Sequence, residues 1–130
     1  MKIKNIDHFV ITSHDLTKSI AFYQDILGLK HVERNGRHAF VFGNQKINIH
    51  VKKGEFQPAA LHPEYGSQDF CLIVEDDIES VKKEITKKGY PIVEGIVDRH
   101  GAKGNIKSLY LRDPDGNLVE LANYCDWVNI

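Results

Sequence analysis

The reading of the fold turns on Ile6–Gly28, "IDHFVITSHDLTKSIAFYQDILG", because Gln68–Gly89, "QDFCLIVEDDIESVKKEITKKG", repeats its plan. Each stretch opens with an apolar run suited to a strand and continues into a helix-spaced apolar stripe that ends at glycine. In the first, Leu16, Ile20, Tyr23 and Leu27 recur at helical spacing and Gly28 is the stop. In the second, Ile78, Val81 and Ile85 form the stripe before Gly89. Apolar residues at these intervals fall on one face of a helix, and glycine tolerates the left-handed conformation that closes it. The interval from His8 to Gly28 equals that from Asp69 to Gly89.

Three strand-like runs follow each helix. They are "LKHVER", "RHAFVFG" and "KINIHVK" in the first half, with Asn35-Gly36 between the first two as a hairpin signal. In the second half they are "PIVEGIV", "IKSLYLR" and "NLVELANY". A strand, a helix and three strands, used twice, predict an α+β fold of two βαβββ modules. The modules run over about 1–53 and 68–125 of a single domain spanning 1–130. They are expected to form a cupped mixed sheet with the helices on its outer face. The intervening "KKGEFQPAALHPEYGS" reads as an ordered connector, and "DRHGAKGN" (98–105) as a glycine-containing loop that holds the extra length of the second module.

Bulk properties narrow the function classes. A chain of 130 residues is long enough for one cored domain, and 42% hydrophobic with 27% charged residues is a globular composition. Seventeen basic and 18 acidic residues give a net charge of -1, so no nucleic-acid partner is expected. Two cysteines, Cys71 and Cys125, at long spacing suggest neither a disulfide framework nor a zinc knuckle, and fit the reducing cytoplasm. No segment reads as a signal peptide or as a bilayer span, so no membrane partner is expected either.

"YLRDPDGNLVELANY" (110–124) raises the chemical question. Asp-Pro-Asp-Gly-Asn is turn chemistry, and the apolar run after it carries Glu120 in its middle. Side chains alternate between the faces of a strand. His8 then shares a face with Ile6, Val10 and Thr12; Asn48 and His50 share one with Lys46 and Lys52; Asp69 sides with Cys71; and Glu120 opposes Val119 and Leu121. If each module packs one sheet face under its helix, the other faces a cavity where His8, Asn48, His50, Asp69 and Glu120 converge. Imidazole and carboxylate donors suit a divalent cation such as Zn, Ni, Mn or Fe, which offsets the cost of burying a carboxylate. Taken singly, His8 and His50 could also be strand-edge histidines and Asp69 could face water. His31, His38, His62 and His100 stand in edge or loop contexts, with His100 in the long loop where a lid could use it.

The repeat, the histidine of the first strand and "DPDGN-x-x-E" before the last together resemble the vicinal oxygen chelate superfamily of glyoxalases, bleomycin-resistance proteins and dioxygenases. "KINIHV", "GSQDFCLIVED" and "GNIKSLYLRDPDGNLVELANY" resemble the subgroup of glyoxalase-domain-containing protein 5 and its bacterial relatives. The resemblance implies a divalent metal ion held from the first and last strands of the modules, with His8, Asp69 and Glu120 at those positions. Asn48 aligns at the fourth position, with His50 as an alternative ligand or a general base. Catalysis would then fall to Glu120 and His50. It implies a metal-dependent glyoxalase-type lyase or isomerase acting on a small oxygenated substrate, such as a thiol adduct, in a homodimer. A metal-free drug-binding protein, a thiol transferase and a dioxygenase are the alternatives on the same scaffold. Phe56, Tyr65 and Arg99, in the connector and the long loop, are expected to shape specificity.

Overall fold

The computed structural model describes residues 1–125. Its elements are β1 (His8–Thr12), a helix α1 (Leu16–Ile20) that widens into a π-helical stretch (Ala21–Ile26), β2 (Lys30–Arg34), β3 (Arg37–Phe42) and β4 (Gln45–His50). Then follow β5 (Asp69–Ile73), α2 (Ile78–Lys87), β6 (Glu94–Gly101), β7 (Gly104–Arg112) and β8 (Leu118–Tyr124). The fold is α+β, with two four-stranded mixed sheets ordered β1-β4-β3-β2 and β5-β8-β7-β6. Each has one parallel pair, β1 with β4 and β5 with β8, and antiparallel pairs elsewhere. By its contacts the chain gathers into two compact units: residues 1–68 with Asp113–Asn117, and Asp69–Arg112 with Leu118 onward.

In the first unit the odd residues of β1 and β4 are the inward set. Ile11, Ile47 and Ile49 are buried with Phe40 of β3, and Phe22 and Tyr23 come down on them. The two aromatics meet edge to face, and Tyr23 stacks on Phe40. The expected stripe of Leu16, Ile20, Tyr23 and Leu27 is shifted around the helix, and the most buried set lies at the same i, i+3, i+4 spacing. Tyr23 is fully buried together with Phe22 and Ser19, while Leu16, Ile20 and Leu27 are half-buried. Asp15 caps the helix by accepting the Lys18 amide.

The Asp113–Asn117 loop is held by one buried carboxylate. Asp113 Oδ1 accepts the backbone N–H groups of Asp115 and Asn117, and Oδ2 accepts from the Tyr23 hydroxyl and the Asn117 amide, both at 2.7 Å. All of its acceptor capacity is therefore used inside the unit. Asn117 in turn accepts the Gln68 amide, where the connector ends.

In the second unit Ile78, Val81 and Ile85 of α2 pack with Leu109, Leu111, Val119 and Leu121 in a buried core. The stretch 98–105, expected as a loop, is instead the outer half of a long hairpin. Asp98–Gly101 pair with Gly104–Lys107 through a two-residue turn, so the additional length of the module is strand. Glycines near the turn marked the reversal but disguised the ladder. His100 accordingly lies on β6, its Nδ1 2.9 Å from Asn105 Oδ1.

Candidate functional site

Register decides which side chains share a neighbourhood. In the β1–β4 pair, His8 lies opposite Lys46, Val10 opposite Asn48 and Thr12 opposite His50. In β5–β8, Asp69 lies opposite Leu118 and Cys71 opposite Glu120. The two ladders are equivalent: His8 corresponds to Asp69, and Asn48 to Glu120. Asn48 thus stands in the first unit where the second carries its carboxylate. His50 lies four positions along the ladder from His8, about 13 Å at strand rise, so those two imidazoles address different points of one face.

His8, Val10, Thr12, Asn48 and His50 line one wall of a cavity of about 470 Å3, and connector residues including Phe56, His62, Glu64 and Gln68 line the other. His8 is about half exposed, and its Nδ1 lies 3.1 Å from Asp7 Oδ1. A carboxylate at that nitrogen favours the tautomer with Nδ1–H and leaves the Nε2 lone pair outward, the arrangement of a metal-ligating histidine. An adjoining cavity of about 450 Å3 shares Arg37, Asn48, His50 and Phe56 and extends to Arg34, His38 and Lys46. Arg37 lies over the Phe56 ring at 3.9 Å, and His50 meets that ring edge-on. Lys53 pairs with Glu64 at 2.7 Å and lies above Tyr65. The pairing raises the lysine's pKa and lowers the carboxylate's.

The second unit has its own cavity of about 400 Å3, lined by Asp69, Glu94, Arg99, Tyr110, Arg112 and Glu120. Glu120 is half-buried, and its Oε2 accepts the Ser108 hydroxyl at 2.5 Å. Tyr110 stands directly across β7–β8 from it. Arg99 Nε donates to the Tyr110 oxygen at 3.0 Å, and its guanidinium reaches Glu94 at 3.4 Å. Burial raises the Tyr110 phenol above its ordinary value, Arg99 opposes this, and the Glu120 charge adds to it. The phenol therefore stays protonated. Desolvation, then the Glu120 charge, pushes the thiol of the solvent-exposed Cys71 up to about 11. Ser108 and Tyr110 escaped the sequence reading, although the hairpin register would have set Tyr110 against Glu120.

The donors present fit a divalent cation in kind. They comprise an imidazole and two carboxylates, of which Glu120 is steadied by a serine hydroxyl. Asn48 supplies a weaker, neutral oxygen. Among the described residues, no three His, Cys, Asp or Glu side chains are gathered as a metal-holding group. Also among them, no helix is long and apolar enough to cross a membrane.

Comparison with known proteins places this geometry in context. The family model described as the Glyoxalase/Bleomycin resistance protein/Dioxygenase superfamily matches residues 5–121. The glyoxalase domain-containing protein RDO1 of Mycosarcoma maydis is 48% identical over 97% of this chain and 72% of its own. The virulence protein STM3117 of Salmonella typhimurium is 47% identical over 95% of this chain and 87% of its own. Its crystal structure superposes with a TM-score of 0.92, covering 96% of this chain and all of that one. More distantly, a metallothiol transferase FosB of Lysinibacillus sphaericus is 26% identical over 92% of this chain and 82% of its own. A lactoylglutathione lyase structure from Agrobacterium tumefaciens is 25% identical, with a TM-score of 0.73 and 95% and 96% of the two chains covered.

Proposed function

The chain belongs to the glyoxalase/bleomycin resistance protein/dioxygenase superfamily, and from that premise we propose that it is a metal-dependent glyoxalase-type lyase or isomerase. Its substrate in this reading is a small oxygenated molecule, of which a thiol adduct is the first to try. The observation that carries the proposal is the setting of Glu120. This carboxylate interrupts the apolar run from Leu118 to Ala122, lines a cavity, accepts the Ser108 hydroxyl, and faces Tyr110, itself held by Arg99.

His8, Asp69 and Glu120 are the residues that would hold the cation. When bound, it would supply Lewis-acid polarisation of substrate oxygens. The chain's own part is proton movement and orientation. Ser108 fixes the Glu120 carboxylate by donating to it, Tyr110 stands across the ladder from it, and the carboxylate serves to take a proton from carbon. Orientation by fixed donors spares the reorganisation that water would require. His50, with no part in that carboxylate cluster, is placed against Phe56 in the first unit's cavity, where it can relay a proton. Arg99 keeps Tyr110 in place and is a positioning residue. A cytoplasmic location and assembly as a homodimer belong to the same proposal.

Turnover of the methylglyoxal–glutathione hemithioacetal tests it. Protein purified without added metal is assayed after loading with Ni, Zn, Mn or Fe, and again after chelation. The expected result is activity with one of these ions, loss on chelation, and a fall of about a hundredfold or more in kcat for Glu120→Gln. Tyr110→Phe is expected to lower kcat less.

Asn48 and the absence of a gathered three-ligand group among the described residues favour one second reading, a metal-free small-molecule-binding protein. Such a protein would keep its ligand affinity in the His8→Ala and Glu120→Ala variants and show no response to chelation.

A further inference from the structure

The cavity beside β2 and β3 is electrostatically one-sided. Arg34, Arg37 and Lys46 line it together with His38, and no aspartate or glutamate is among its lining residues. Arg34 and Lys46 have no carboxylate partner among the described residues, and Arg37 is occupied only by the Phe56 ring. The chain as a whole is almost neutral, so unpaired positive charge here is local.

Strand register sharpens the point. Arg34 stands directly opposite Arg37 across the β2–β3 ladder. Like charges at facing positions destabilise a sheet, and neither is relieved by an acid. Such an arrangement is stabilised by an anion from outside, and two guanidinium forks with an ammonium group match the oxygens of a carboxylate or phosphoryl group. Val32, Val41 and the Phe56 ring supply an apolar wall to the same cavity.

We infer that this cavity is an oxyanion subsite, taking the carboxylate or phosphoryl end of a small molecule whose apolar body lies along Phe56. The adjoining cavity shares Arg37, Asn48, His50 and Phe56 with it, so one elongated ligand can lie against both. The inference gives the substrate class for the proposed enzyme and rests on that reading for turnover alone. Anion binding is independent of it.

Calorimetry on the full chain, without metal and at constant ionic strength, tests binding of benzoate and of inorganic phosphate against chloride. Binding of benzoate alone identifies a carboxylate ligand; binding of phosphate alone identifies a phosphoryl ligand. Arg34→Gln is expected to weaken the bound anion about tenfold, while its melting temperature holds or rises because a facing like charge is gone. Lys87→Gln, the same charge change on α2, is expected to alter neither. The inference is overturned if neither anion binds above chloride. It is also overturned if Arg34→Gln lowers the melting temperature and leaves anion affinity intact, the result of a merely structural arginine. Anion binding without metal-dependent turnover would remove the enzyme reading and keep the subsite. Turnover without anion binding would do the reverse.

Discussion

At the scale of single residues, polar groups divide into those satisfied internally and those left to meet something else. Asp113 belongs to the first kind, with four hydrogen bonds closing its loop. Glu120 is intermediate, and Arg34 is of the second kind. His31 shows how such settings become a pH response. Its Nε2 lies 2.9 Å from His38 Nδ1, and the two rings stack. Burial first and the His38 charge second hold His31 below its ordinary 6.5, with Glu33 opposing. The unfolded chain therefore takes up this proton before the folded chain does. This contribution to stability is whole above 6.5 and is lost as pH falls from there through the folded-state value. Thermal melts between about pH 7.5 and about pH 5 should show a declining melting temperature, and His31→Gln should flatten the decline. An equal slope in the variant would remove His31 as its source. Glu120 was legible in the sequence because a carboxylate interrupts an apolar run. Tyr110 and Arg34 were not, because what each faces depends on hairpin register rather than on its neighbours in sequence.

At the scale of elements, α2 is completed from outside its own sequence. Asp77 stands at its N-cap without a side-chain hydrogen bond, and the Ile78 amide is accepted instead by Asn123 Oδ1 at 2.6 Å. The same side chain donates to the Val74 and Asp76 carbonyls, so one residue of β8 fastens both the end of β5 and the start of the helix. Asn123→Ala should cost about 2 kcal/mol, more than an exposed cap, because a donor and two acceptors lose their partner together. Chemical denaturation gives the value, and a loss below about 0.5 kcal/mol would show that water replaces the amide. The helix itself was plain from Ile78, Val81 and Ile85. Its cap was not, since the residue that accepts the Ile78 amide lies far along the chain. Residues 98–105 make the complementary case. Glycine and charge imitate a loop, while β7 supplies the partner that keeps them extended.

At the scale of the whole molecule, the repeat was the clearest signal, because equal spacing in two halves constrains fold more than any single helix or strand does. The same repeat exposes where the halves differ in chemistry. His8 answers to Asp69 and Asn48 to Glu120, so the first unit offers an imidazole and an amide where the second offers two carboxylates. A cation bound by the native chain and not by the unfolded one must raise the unfolding free energy. At a metal concentration a hundredfold above Kd the gain is about 2.7 kcal/mol, on the order of 10 °C for a chain of this size. Thermal melts of metal-stripped protein with Ni, Zn, Mn and Fe therefore read the metal directly, without a known substrate. At least one ion should raise the melting temperature by that order, the rise should vanish in His8→Ala and in Glu120→Gln, and Lys87→Gln should retain it. A flat response to all four ions would sink the metal-dependent reading and advance the metal-free binding protein. A shift that survives both ligand substitutions would mean that the ion binds elsewhere, and the assignment to His8 and Glu120 would fall with it.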